Sequence, residues 1–267
     1  MSTQKRFSFV DYVNGGLDLQ LTVAIDFAAS NGEPNDPTSL HYLHPDGKLN
    51  DYEKAIIAIG KILSDYDSDQ QFPVVGFGAE IDGEIQHCFQ LGPVPQVFGV
   101  EGILEAYRNQ FDTDFDMSES TVFREVITHA AEQARENQKL AMDVGDQYYQ
   151  ILLILTDGRV TSVESAKEAI RAASDAPLSI VIVGIGRSHF SQLNELDNFG
   201  EFGGNGGRDI CQFVEFEKHK NNKVSLTQAT LDEIPDQVVD YFHDREIAPI
   251  PSLYSSRNLI VADEADD

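Results

Sequence analysis

The 267-residue sequence contains no tryptophan, only three methionines and two cysteines, and few bases: 19 Lys and Arg stand against 45 Asp and Glu. Each shortage excludes something. Two thiols as distant in sequence as Cys88 and Cys211 build neither a disulfide framework nor a zinc knuckle, and they fit a reducing compartment. A formal net charge of −26 repels phosphate backbones and anionic headgroups, so nucleic acid and bare membrane are poor partners. Cations and basic protein surfaces are attracted instead. The most apolar stretches, Ile151–Leu155 and Ile180–Gly186, fall far short of the ~20 residues that a bilayer span requires. The start, Met1-Ser2-Thr3-Gln4-Lys5-Arg6, lacks the apolar segment of a secretory signal. The expectation is a cytoplasmic protein without direct membrane insertion.

Motifs of covalent chemistry are missing too. There is no G-x-x-x-x-G-K-[ST], no G-x-S-x-G and no H-E-x-x-H. The seven histidines are scattered, and the one near pair, His41 and His44, reads as ordinary loop. The cysteines read as core packing. No general base or nucleophile stands out, so the chain is not expected to be an enzyme.

What is present is a regular alternation. Leu19–Ile25, Pro73–Gly78, Tyr149–Thr156 and Leu178–Gly184 are short, nearly continuous apolar runs, as strands covered on both faces require. Between them lie segments of helical period: Asp51–Asp65, Gly99–Asn109, Thr121–Asn137, Val163–Ser174 and Leu226–His243. Strands alternating with such helices imply βαβ units and a doubly wound, mostly parallel sheet with helices on both faces. The glycine-rich stretch Gly200–Gly207 reads as a flexible loop without the spacing of a nucleotide cradle.

In such a sheet, ligands gather beyond the carboxyl ends of the strands. Asp26-Phe27-Ala28-Ala29-Ser30 follows the first strand, Ser118-Glu119-Ser120-Thr121 opens a helix, and Asp157-Gly158 follows the central strand. Singly, each has a plain structural reading: a strand-end Asp caps a helix, and Thr-Asp-Gly makes a turn. Together they offer hard oxygen donors suited to Mg²⁺, Mn²⁺ or Ca²⁺.

In these loops, and well beyond them, the sequence resembles the von Willebrand factor A domain of the copines. The resemblance is carried by Val23–Phe27 with Ser30-Asn31-Gly32, Asp36–Tyr42, Asp65–Asp69, Gly76–Ala79, Leu155–Gly158, Ile182–Gly186 and Gln212-Phe213-Val214, and covers about residues 8 to 248. It implies a Rossmann-like fold, with residues 1–15 as a lead-in, 16–247 as the domain and 248–267 as a loosely held acidic tail. It also implies a metal-ion-dependent adhesion site at Asp26, Ser30, Thr121 and Asp157, at which a protein partner completes a divalent ion with an acidic side chain. Ala28 departs from the pattern: a hydroxyl is expected there, and its methyl group offers no oxygen. Affinity is therefore expected to be reduced. A metal-independent scaffold is the alternative, and a metal-assisted hydrolase the remote one. Asp112, Asp114 and Asp116 begin like a calcium loop, but Met117 and Phe123 occupy positions where an EF-hand needs Gly and Glu, which leaves a second weak cation site on the rim or a merely solvated acidic loop.

Overall fold

The computed structural model describes residues 5–64, 66, 67, 69–199 and 207–251. Numbered in chain order, the main strands are β1 (Asp18–Asp26), β3 (Val74–Phe77), β6 (Phe89–Gln90), β9 (Tyr148–Thr156), β10 (Leu178–Gly184) and β11 (Cys211–Glu215). They form one sheet in the order β11-β10-β9-β1-β3-β6. All neighbours are parallel except β6, which runs antiparallel to β3. Short strands β2 (Gln71–Phe72) and β7 (Val97–Phe98) pair at one side, and β4 (Ala79–Ile81) joins β5 (Glu84–Gln86) and β8 (Asp116–Met117).

The apolar runs become central strands because both their faces are covered. Every residue of β9 is buried. Tyr149, Ile151, Leu153 and Leu155 enter one core, and Leu152 and Ile154 the other. The first core is closed by α1 (Phe9–Asn14), α2 (Asp51–Ser64) and α3 (Gly99–Gln110), with α7 (Phe216–His219), α8 (Lys223–Leu231) and α9 (Ile234–Asp244). The second is closed by α4 (Arg124–Val144), α5 (Val163–Ala173) and α6 (Ser191–Asp197). This is the doubly wound, Rossmann-like α/β arrangement expected from the sequence.

Local signals set the helix ends. Asn50 Oδ1 accepts from the Glu53 N–H at 2.9 Å while Glu53 Oε2 accepts from the Asn50 N–H at 2.7 Å, a reciprocal cap for α2. Gly145, at φ 86°, stops α4 in the left-handed conformation. Two helical expectations are corrected. Leu226–His243 is not one helix: α8 ends at Leu231, and Pro235 lies in the first turn of α9, where its missing N–H costs nothing. Thr121 does not begin a helix either, since α4 starts at Arg124 and runs on to Val144.

The lead-in contains α1, whose Tyr12 is buried, stacks on Phe242 at 4.9 Å and donates to the Ile247 carbonyl at 2.9 Å. Gln147 Nε2 donates to the Ala248 carbonyl at 2.7 Å, so both flanks of the domain are tied to its body. Residues 252–267 of the expected tail and Gly200–Gly206 of the expected glycine loop lie outside the described residues.

Candidate functional site

From β1 the chain builds the sheet outward to β3, then returns to add β9 on the other side of β1. The reversal leaves a crevice beyond the carboxyl ends of β1 and β9. Asp26 ends β1 and Thr156 ends β9; residues 22, 24 and 26 and residues 152, 154 and 156 alternate onto the face opposite the first core. Thr156 Oγ1 donates to Asp26 Oδ2 at 2.7 Å, and the Ala28 N–H donates to Asp26 Oδ1 at 2.9 Å. Burial pushes the Asp26 carboxyl up to about 7; these hydrogen bonds oppose the rise and the charge of Asp157 adds to it.

Asp157 Oδ1 accepts from the Arg159 N–H at 2.9 Å, which closes a tight turn at the end of β9. Gly158 is required next: φ is +94°, and a Cβ there would lie 2.4 Å from the Phe190 ring. The segment before α4 is docked between the two strand-end loops. The Ala29 N–H donates to the Ser118 carbonyl at 2.8 Å, and Thr121 and Thr161 are joined twice, by Thr161 N–H to Thr121 carbonyl at 2.9 Å and by Thr121 N–H to Thr161 Oγ1 at 2.8 Å. Ser30 and Thr121 then line one cavity of ≈ 250 Å³, together with Glu119, Arg159, Val160, Thr161 and Gln192. Ser30 and Thr121 thus border one cavity, while Asp26 and Asp157 lie close enough for the charge of Asp157 to act on Asp26.

Two observations bear on whether a cation fits. Ser30 Oγ is buried and has no hydrogen-bond partner among the described residues, an orphan that folded proteins avoid unless something else satisfies it. Four residues earlier in the chain, Asp26 is a buried carboxylate without an ion-pair partner among the described residues. Among the described residues no three His, Cys, Asp or Glu side chains are placed to hold a metal, so an ion here would have to draw on hydroxyls as well as carboxylates. Ala28 is buried with its methyl group beside Gly78. Asp112, Asp114 and Asp116 are all exposed.

Sequence reasoning missed the layer behind the first loop. His41 is fully buried, with Nε2 2.9 Å from the Asp26 carbonyl and Nδ1 2.8 Å from the Tyr107 hydroxyl. A carbonyl only accepts, so Nε2 carries the proton, Tyr107 donates to Nδ1, and Asn50 Nδ2 donates to Tyr107 at 3.1 Å. Burial holds the His41 pKa down to about 3, so the ring stays neutral. Asn31 donates to the Ala28 carbonyl at 3.1 Å and accepts from Tyr52 at 2.7 Å. His41 is therefore a buried support of the loop. Its signal in the sequence was slight: a polar residue flanked by Leu40 and Tyr42.

The copine family model matches residues 39–250, a span that contains Thr121 and Asp157 and begins after Asp26 and Ser30. Copine-E of Dictyostelium discoideum is 41% identical over 249 residues, covering 91% of this chain and 42% of that protein. Protein BONZAI 1 of Arabidopsis thaliana is 40% identical over 254 residues, covering 91% and 43%. The chain thus spans less than half the length of these curated relatives. Among solved structures, manganese-loaded Plasmodium vivax TRAP protein is similar at 15% identity and a TM-score of 0.45, covering 79% of this chain and 74% of that one. The mussel byssus proximal thread matrix protein 1, with a zinc-occupied MIDAS motif, is similar at 14% and 0.46, covering 84% and 48%. The family match over most of the sequence, on a doubly wound α/β fold, leads to one assignment: the chain belongs to the copine family, as its von Willebrand factor A-type domain.

Proposed function

We propose that this domain is a divalent-cation-dependent protein-interaction module: Asp26, Ser30, Thr121 and Asp157 hold the ion, and a carboxylate of a protein partner completes it. The observation that carries the reading is the orphaned Ser30 hydroxyl in the loop that follows the buried carboxylate of Asp26. A hard cation answers both needs at once, since it gives the hydroxyl oxygen a partner and the carboxylate a counter-charge. Neutral hydroxyls in the ligand set leave the ion with surplus positive charge, which favours an anionic partner group. Mg²⁺, Mn²⁺ and Ca²⁺ suit this donor set. Asp26 already accepts two hydrogen bonds and Asp157 one, an arrangement compatible with carboxylates that act through water. We assign no catalytic step and a cytoplasmic setting, in which the free thiols Cys88 and Cys211 stay reduced.

Ala28 favours a second reading, a metal-independent scaffold that keeps the fold for its surfaces. Thermal melts with Mg²⁺, Mn²⁺, Ca²⁺ or a chelator separate the two, because a ligand of the native state alone raises the melting temperature. The expected result is a rise with metal that Asp157→Ala weakens at least tenfold in metal concentration while the circular dichroism spectrum is unchanged. Melts indifferent to every ion would favour the scaffold.

A further inference from the structure

The loop after β9 carries a feature that the ion does not explain. Arg159 is exposed and borders the same ≈ 250 Å³ cavity as Ser30 and Thr121. In a chain with 45 Asp and Glu, its guanidinium has no hydrogen bond, ion pair or ring contact among the described residues. The other described arginines are engaged. Arg108 pairs with Glu53, Arg124 with Glu168 and Arg135 with Asp175, while Arg208 and Arg245 donate to main-chain carbonyls. Glu119, the one carboxylate that shares the cavity of Arg159, makes no ion pair with it among the described residues.

The backbone beneath it is fixed. The Arg159 N–H is held by Asp157, and Val160 is clamped by Gln192, which accepts from its N–H at 3.2 Å and donates to its carbonyl at 3.1 Å. The paired Thr121 and Thr161 join this loop to the segment bearing the hydroxyl. A free guanidinium on a preorganised loop, at the edge of a cavity lined by the hydroxyl-bearing side chains of Ser30, Thr121 and Thr161, is built to receive something from outside. Its planar fork matches a carboxylate in two parallel hydrogen bonds.

We propose that Arg159 is a second anchor for the partner, and that the recognised element is a di-acidic peptide segment: one carboxylate completes the ion at Ser30 and Thr121, and a neighbouring one is gripped by Arg159. This rests on the adhesion-type reading of the site and adds its specificity. It also eases an electrostatic conflict. A protein of net charge −26 repels acidic partners at long range, and a local cation beside the ion offsets that repulsion where the contact forms.

The test uses the whole chain with saturating Mg²⁺ and blocked octapeptides in a Gly/Ser background. One carries a single Glu, others two Glu at varied spacing, and one a phosphoserine in place of the second Glu. Calorimetric titration should show the best two-Glu peptide binding about tenfold more tightly than the one-Glu peptide, as a charge-assisted pair provides. In Arg159→Gln that advantage should shrink below about twofold. An advantage that survives Arg159→Gln overturns the assignment. A one-Glu peptide that binds with Mg²⁺ and gains nothing from a second Glu at any spacing overturns the di-acidic segment alone. Tightest binding by the phosphoserine peptide, lost in Arg159→Gln, would replace the carboxylate with a phosphate. Failure of every peptide with Mg²⁺ and chelator alike overturns the ion-site reading, and the second anchor with it.

Discussion

Ala28 stands one residue beyond Phe27 and two before Ser30, where its methyl group faces Gly78 and no solvent. A serine there would add an oxygen to the loop that runs from Asp26 to Ser30, and the main-chain N–H of residue 28 already donates to Asp26. Gly78 tolerates little more: its φ is +75° and a Cβ would come within 3.0 Å of the Ala28 nitrogen, so the two loops approach as closely as they can. Ala28→Ser is expected to tighten Mg²⁺ binding about tenfold, the scale on which one charge-assisted oxygen contact acts. Calorimetric titration of the variant and the parent checks it. Equal affinities would mean that loop geometry, and not the absent hydroxyl, limits the site.

At the scale of elements, the first loop owes its shape to α2 and α3 rather than to its own sequence. Asn50, just before α2, and Tyr107, on α3, orient His41, which fixes the Asp26 carbonyl. Tyr107→Phe removes the hydroxyl from the middle of that chain and leaves Asn50 Nδ2 and His41 Nδ1 without partners. Stability should fall by about 1–3 kcal/mol, the usual cost of orphaned buried polar groups. Denaturant melts measure this, and a loss below about 0.5 kcal/mol would mean that the chain of hydrogen bonds is not fixed in solution. The contrast with the strands shows what was legible. Tyr148–Thr156 announces itself because a strand covered on both faces must be apolar throughout, and Asp26 and Asp157 are conspicuous as the charges that end such runs. Thr156 was not, for a buried hydroxyl in an apolar run looks like any β-branched strand residue. The support of Asp26 by His41 joins residues 15 apart and its link to Tyr107 joins residues 66 apart, and no local period records contacts of that kind. Arg159 escaped notice for a different reason: being unpaired is a property of its surroundings, not of its neighbours in sequence.

The whole molecule is acidic enough for any salt to stabilise it by screening, so a metal effect has meaning only at constant ionic strength. pH supplies the sharper criterion. The Asp26 carboxyl, raised from 3.8 to about 7, keeps its proton in the native state between about pH 4 and 7 while the unfolded chain releases it. Its contribution to stability therefore falls as pH rises through that window. His41 acts with the opposite sign. Its pKa is lowered from 6.5 to about 3, so the unfolded chain takes up a proton that the native ring refuses, and stability rises with pH from about 3 to 6.5. Asp67, raised from 3.8 to about 6, and Glu233, raised from 4.5 to about 7, add further loss as pH rises through those windows, chiefly through burial. Their contribution is the same with or without metal, so the difference between the two conditions isolates the crevice. A cation there displaces the Asp26 proton and replaces its cost with attraction. Below pH 7 it must compete for that proton; above, it need not. The Mg²⁺-minus-chelator difference in melting temperature is thus expected to be small near pH 5 and to grow steadily toward pH 8. In Asp26→Asn it should vanish at every pH, and the metal-free variant should melt above the metal-free parent at pH 8. A difference of the same size at both ends of the range would place the ion elsewhere on the acidic surface, outside the crevice of β1 and β9.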